Sequence, residues 1–303
     1  MTTLLVDFQN LIFRAFFGTY RGEGQPILRA PDGSPTNAIA TTSSMLGGLA
    51  RQFPADRIIF CLEGSPVFRR RIFPDYKGTR DEKPPLLASQ LPVFTEIIQN
   101  FGFETAHNAE EEADDVLATL ARRFGADGEV LIATGDKDLL QMVGGTVSVL
   151  RPIKGGIWER WGVSEVQNAF KVSPAAFANY LALVGDKADN IPGIAGIGPV
   201  GAVELLHDLP TFSVLAQRVA DRRKLPLDEA RAKLDLALSL TTVRAGVDCG
   251  LSRLEGRVPE ARAKLQALNC DRAIEALARL APSEGRVESP APVEVRAVQG
   301  MLF

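Results

Sequence analysis

Residues 110–140, EEEADDVLATLARRFGADGEVLIATGDKDLL, constrain this chain more than any other stretch. Glu112, Asp114 and Asp115 open an apolar run of Val116, Leu117, Leu120, Ala121 and Phe124, whose spacing predicts a helix. Residues 130–134 form a short apolar and β-branched run, which suits a buried strand. Asp136 and Asp138 stand where that strand ends. A helix start and a strand end therefore both present carboxylates, and parallel α/β sheets build their sites at the carboxyl ends of strands. Carboxylates gathered this closely repel one another unless a cation sits between them. Either cluster alone reads as a solvated turn. The two together, with more acids at matching places elsewhere, read as a metal centre.

The rest of the chain supplies that sheet. Residues 3–6 are a strand ended by Asp7, and residues 57–62 a second strand followed by Glu63. A short strand is expected at 103–106, and helices at 11–17, 36–51 and 86–101. Residues 147–150 and 156–160 predict a hairpin around Lys154 and Gly155. Strands alternating with helices argue for an α/β fold, a mainly parallel sheet with helices on both faces. The second half differs. Residues 174–184 are helical and end at Gly185 and Asp186, with Asp189 three residues on. In residues 189–206, DNIPGIAGIGPVGAVELL, Gly193, Gly196, Gly198 and Gly201 mark a tight turn between two helices. Such a turn aims backbone N–H groups at a phosphate without side-chain obstruction. Residues 215–280 read as several helices, and from about 282 the polar, Pro-rich composition reads as a disordered linker.

Composition narrows the function classes. At 46% hydrophobic, 303 residues bury a full core, and a net charge of −3 does not exclude a nucleic-acid partner. Three cysteines without metal spacing point to a reducing compartment, and the isolated His107 and His207 argue against zinc chemistry. With no signal peptide and no apolar run of membrane length, the expectation is a soluble, intracellular protein.

Five segments carry a resemblance: LLVDFQNLIFRA (4–15), FRRRIFPDYKGTR (68–80), EADDVLATLA (112–121), ATGDKDLLQ (133–141) and LALVGDKADNIPGIAGIGPVGAVELL (181–206). In these residues and this order the chain resembles the flap endonuclease and 5′–3′ exonuclease family, which includes the 5′-nuclease domain of bacterial DNA polymerase I and stand-alone phage enzymes. The resemblance implies a PIN-like nuclease core over 1–170 with a helical arch at about 75–100. It implies a helical DNA-binding part over 171–281, with a helix-hairpin-helix-type turn at 189–206, and a tail over 282–303. The implied activity is hydrolysis of flapped, branched or nicked DNA near free 5′ ends, in replication or repair, by two Mg²⁺ or Mn²⁺ ions. Asp7, Glu112 and Asp114 are implied for one ion, and Asp136, Asp138 and Asp186 for the other, with Asp115 and Asp189 close by. Lys77 and Arg80 match the family's basic pair that faces the scissile phosphate. Arg14 and Lys137 are further candidates for phosphate contact, as are Gly193, Gly196 and Gly198 in the turn, where the family also holds K⁺.

Two departures stand out. The family carries an Asp after the second strand where this chain reads Phe60-Cys61-Leu62-Glu63, so Glu63 is the substitute candidate. The family has basic residues after the turn's glycines where this chain has Pro199, Val200 and Gly201. Phe16 and Phe17 are read as core packing rather than base stacking. Gln299, Leu302 and Phe303 resemble the bacterial sliding-clamp-binding peptide, with Gly300 departing from it. The expectation is a monomeric, cytoplasmic, nucleoid-associated enzyme. The alternatives are a catalytically weakened DNA-structure-binding protein, for which Cys61 speaks, and a PIN-type ribonuclease, against which the glycine turn and the basic segment speak.

Overall fold

A computed structural model describes residues 1–22, 24–208 and 211–281. The chain opens with β1 (Thr2–Asp7), α1 (Phe8–Thr19) and α2 (Asn37–Gln52). Next come β2 (Arg57–Cys61), α3 (Val67–Ile72), α4 (Pro85–Ala88), α5 (Gln90–Asn100) and β3 (Glu104–His107). α6 (Ala113–Gly125), β4 (Glu129–Ala133), β5 (Val147–Pro152), β6 (Trp158–Trp161) and α7 (Val163–Phe170) complete the first half. The second half holds α8 (Phe177–Val184), α9 (Pro199–Leu206), α10 (Phe212–Arg223), α11 (Leu227–Thr241), β7 (Gly250–Arg253), α12 (Val258–Ala267) and α13 (Asp271–Leu280).

The sheet order is β6-β5-β4-β1-β2-β3-β7. The five inner strands are parallel, and β6 and β7 close the two edges antiparallel. This is the mainly parallel sheet the alternation predicts. Leu4 and Leu5 show why: adjacent residues of β1 are both fully buried, one in the core of each face. Apolar side chains of α1, α2, α5 and α13 fill one face, and α6 fills the other. The α6 core runs on without a break through Leu139 and Leu140 into α8, α9, α10 and α11, so sheet and helical half share one apolar cluster.

Two expectations need restating. Residues 90–100 do not stand free as part of an arch. Phe94, Ile97 and Ile98 are buried in the same cluster as Phe8 and Phe60, which makes α5 a packed crossover helix. Residues 215–280 are not helical throughout. β7 adds to the exposed edge of β3, in register from Glu104 against Arg253 to His107 against Gly250. Its sequence, GLSR, has no apolar alternation, because an edge strand this exposed buries almost nothing. Among the described residues no helix is long and apolar enough to cross a membrane.

Candidate active site

Register aligns the carboxyl ends of three strands. Asp7 stands opposite Cys61, and Val6 opposite Ala133. Asp7 ends β1 and caps α1, its Oδ1 accepting from the Asn10 N–H at 3.1 Å. Its Oδ2 accepts from Thr134 Oγ1 at 2.7 Å. Thr134 Oγ1 in turn accepts from the Asp136 N–H at 3.0 Å, and Asp136 Oδ1 accepts from the Asp138 N–H at 2.9 Å. Asn10 Oδ1 accepts from the Gly135 N–H at 2.8 Å, which pins the turn after β4 to the start of α1. These bonds fix the Asp7 and Asp136 carboxylates on two strand ends before any ligand arrives.

Electrostatics sets this group apart. Burial, then Asp136 and Glu63, push the Asp7 carboxyl up to about 7. Asp138 is pushed up to about 8 by burial and by Asp136. Burial, Asp136 and Asp7 drive Asp114 well above the usual carboxylate range. One oxygen of Asp138, Oδ1, is buried with no hydrogen-bond partner, the kind of orphan that calls for a ligand. Glu63 belongs here too: its Oε2 accepts from the Ala113 N–H at 3.0 Å in the first turn of α6, and burial raises it. The Cys61 thiol is fully buried in the core and pushed far up by burial.

A cationic strap lies across these acids. Residues 73–80 turn sharply, with Lys77 at φ +55°, and reach the α6 start and the loop after α8. Tyr76 donates either to Glu112 Oε1 at 3.1 Å or to Asp189 Oδ2 at 3.2 Å. Lys77 Nζ bonds Glu112, and Arg80 bonds Asp189 Oδ1. Burial pulls Lys77 down, but Glu112, Asp189 and Asp114 outweigh it and the ammonium is held above its ordinary value. Behind the strap, Arg69 is 4% exposed. It donates to Glu112 Oε2 at 2.6 Å and to both oxygens of Asp115, at 2.6 and 2.9 Å. It also donates to the carbonyls of Leu240 at 3.0 Å and Thr242 at 2.9 Å.

The loop after α8 completes the site. Lys137 bonds Asp186, which holds that carboxyl below its usual value against the effect of burial. Asp186 and Ile191 exchange backbone hydrogen bonds at 3.1 and 2.7 Å. Gly185 sits at φ +76°, and a Cβ on Gly193 would lie 2.5 Å from the Val184 carbonyl, so this turn closes only with glycine at both places.

The structure thus brings Asp7, Glu63, Asp114, Asp136, Asp138, Asp186 and Asp189 to one edge of the molecule, with Lys77, Arg80 and Lys137 among them. Glu112 is there but engaged by Arg69, Tyr76 and Lys77. Asp115 is fully buried and faces away, held by Arg69 and by the Arg244 N–H at 2.8 Å. Among the described residues no three Asp, Glu, His or Cys side chains stand as a ready-made cage, and Glu112, Asp189 and Asp186 are each paired with a lysine or arginine. Arg14 is exposed and donates to the Pro152 carbonyl at 2.8 Å. Phe16 is buried as expected for core packing, whereas Phe17 is 53% exposed. Gln299, Leu302 and Phe303 lie outside the described residues. Sequence reasoning misses Thr134, Tyr76 and Arg69 as site residues. Tyr76 sits inside the quoted motif DYKGTR, but Arg69 looks like its exposed neighbours Arg70 and Arg71 and only burial separates them.

Comparison with known proteins places these features. Residues 2–171 match the family "5′-3′ exonuclease, N-terminal resolvase-like domain", and residues 172–264 match "5′-3′ exonuclease, C-terminal SAM fold". A 5′-3′ exonuclease of Aquifex aeolicus is 34% identical over 257 residues, which cover 83% of this chain and 84% of that one. DNA polymerase I of Lactococcus lactis is 31% identical over 259 residues, 82% of this chain but 29% of the polymerase. The chain spans about a third or less of the length of the DNA polymerases compared. In fold it is similar to the bacteriophage T5 flap endonuclease solved as a complex with DNA and metal ions. That likeness has a TM-score of 0.62 at 20% identity, covering 93% of this chain and 99% of that one.

Proposed function

This chain belongs to the 5′-3′ exonuclease family, and from that membership we propose that it is a metal-dependent, structure-specific 5′ nuclease. Its substrate is DNA carrying a free 5′ end, at a flap or a nick, in replication or repair. The observation that carries the reading is the carboxylate group, with Asp7 buried and Asp114 and Asp138 half-buried, in which all three are pushed up together and Asp138 Oδ1 has no donor. An all-oxygen set of this kind fits hard divalent cations, Mg²⁺ or Mn²⁺, and leaves little for softer metals.

Asp7, Glu63, Asp114 and Glu112 would hold one ion, and Asp136, Asp138 and Asp186 the other. Asp115 and Asp189 serve from behind, holding Arg69 and Arg80 in place. Bound there, two such ions would supply water activation and charge neutralisation for an in-line displacement. The chain's own residues do the rest. Thr134 and Asn10 lock the two strand ends together, so the carboxylates keep their places when charged. Lys77 and Arg80 are carried by the 73–80 strap, which takes the place expected of the arch. A scissile phosphate entering between strap and acids takes these two cations from Glu112 and Asp189 and meets them as negative charge develops on its oxygens. The glycine turn offers Gly193, Gly196 and Gly198 to duplex backbone and suits K⁺ on its carbonyls. Arg14 and Lys137 border the entry. Gln299, Leu302 and Phe303 would tether the enzyme to a sliding clamp.

The phage enzyme's complex with DNA and metal ions supports this reading. It is tested by a time course on 5′-labelled flap, nicked, blunt and single-stranded DNA with Mg²⁺, repeated on RNA. The expected result is cleavage near the flap junction that chelation stops. Binding of the flap without cleavage at any Mg²⁺ or Mn²⁺ concentration overturns the enzyme reading in favour of a DNA-structure-binding protein.

A further inference from the structure

The glycine turn has no cation of its own. Residues 189–206 contain no Lys and no Arg, and Pro199, Val200 and Gly201 occupy the start of α9. The turn is nonetheless an open surface: Gly196, Gly198 and Pro199 are exposed, and Val200 is 75% exposed. Positive charge reaches it from another helix. α10 runs back along α9, and three arginines record the path. Arg218 donates to the Leu205 and His207 carbonyls at the far end of α9, both at 2.7 Å. One turn on, Arg222 pairs with Glu204 Oε2 at 2.7 Å and passes beside Gly201, where a Cβ would lie 3.3 Å from its Nη2. Arg223 ends α10 against the turn itself. A Cβ on Gly196 would stand 2.8 Å from the Arg223 Cζ, so the guanidinium lies flat on the Gly196 backbone, which only a glycine leaves bare.

Two guanidinium groups therefore flank the start of α9. A helix start carries partial positive charge on its unpaired N–H groups, so cations gathered there raise the local potential. Both side chains are exposed, so their charge faces solvent, with Glu204 pairing one guanidinium. Guanidinium pairs and backbone N–H groups together match the oxygens of phosphate, which they grip in a bidentate manner. We propose that Arg222 and Arg223 are the side-chain phosphate contacts of this turn, supplied from α10 in place of the turn's own residues, and that they hold the duplex part of the DNA. The proposal rests on the nuclease reading above and adds the residues that position its substrate.

The test uses the full chain and a 5′-flap duplex in Ca²⁺, with binding measured from low to high salt. Neutralising a phosphate contact reduces the slope of log affinity against log salt by about 0.9. Arg222→Ala and Arg223→Ala should each lower the slope by about that amount, the double variant by about twice it, and Arg223→Lys should retain most of the slope. In cleavage the loss should fall mainly on the DNA concentration giving half the maximal rate. Melting temperatures near wild type confirm folding. An unchanged slope in the double variant, with wild-type binding and cleavage intact, overturns the proposal and leaves the nuclease reading standing. A wild-type chain that neither binds nor cuts flap DNA overturns both.

Discussion

Arg69 shows how a single side chain can organise a site it does not enter. It is buried with two carboxylates and two carbonyls on its guanidinium, and against the effect of burial Asp115 and Glu112 raise its pKa. Removing one partner of a buried ionic cluster leaves uncompensated charge behind, at a cost of about 3–5 kcal/mol. Arg69→Met should therefore destabilise the metal-free protein by about that much in urea, and Arg69→Lys should rescue little, because an ammonium cannot span both acids. A loss below about 1 kcal/mol, the worth of an exposed pair, would contradict the assigned role. Asp7 and Asp138 act in the opposite sense. Both are raised from an ordinary 3.8, to about 7 and about 8. Between those values the folded chain holds protons the unfolded chain has released, so stability falls as pH rises through this window. Asp186, held below 3.8 by Lys137, adds stability lost only at lower pH. In chelator the melting temperature should drop from pH 5 to pH 8, Asp7→Asn should lessen the drop, and Mg²⁺ should restore stability at pH 8. A melting temperature that holds level or rises over that range argues against the buried group.

At the scale of elements, what the sequence made legible follows burial. α6 and β4 are plain because their apolar residues keep one period each, and the β5–β6 hairpin because Gly155 breaks the run at φ +75°. β7 is hidden because an edge strand needs no apolar pattern, and α5 passes for an arch because its position against Phe8 and Phe60 is tertiary. The acids at strand ends were readable. Their restraints were not, since Thr134 and Arg69 act through contacts across 127 and 46 residues. The turn after α8 makes a sharp prediction. Gly193→Ala places a Cβ 2.5 Å from the Val184 carbonyl, against backbone that cannot yield. Overpacking of this kind costs about 1–3 kcal/mol. Urea denaturation should show that loss, whereas Gly198→Ala, with nothing within 4 Å of the added carbon, should be close to neutral there. Equal effects at the two glycines would mean that the turn is not closed as described.

For the molecule as a whole, the site is a seam. Lys77 N–H donates to the Asp189 carbonyl at 2.9 Å, Asn190 Nδ2 to the Asp75 carbonyl at 2.8 Å, and Arg69 to the Leu240 and Thr242 carbonyls at the end of α11. Strap, strand ends and helical half meet where the carboxylates are, and one apolar cluster joins the sheet to the helical half beneath them. Asp136 is only half-buried, and its charge repels Asp7, Asp114 and Asp138, so this carboxylate can be removed without unfolding the chain. The most direct measurement is single-turnover cleavage of a 5′-labelled flap duplex in Mg²⁺ by wild type and by Asp136→Ala, with binding to the same DNA measured in Ca²⁺. The account predicts that cleavage is lost in the variant while its affinity for the flap stays within a few-fold of wild type. Cleavage by Asp136→Ala at near wild-type rate would contradict it.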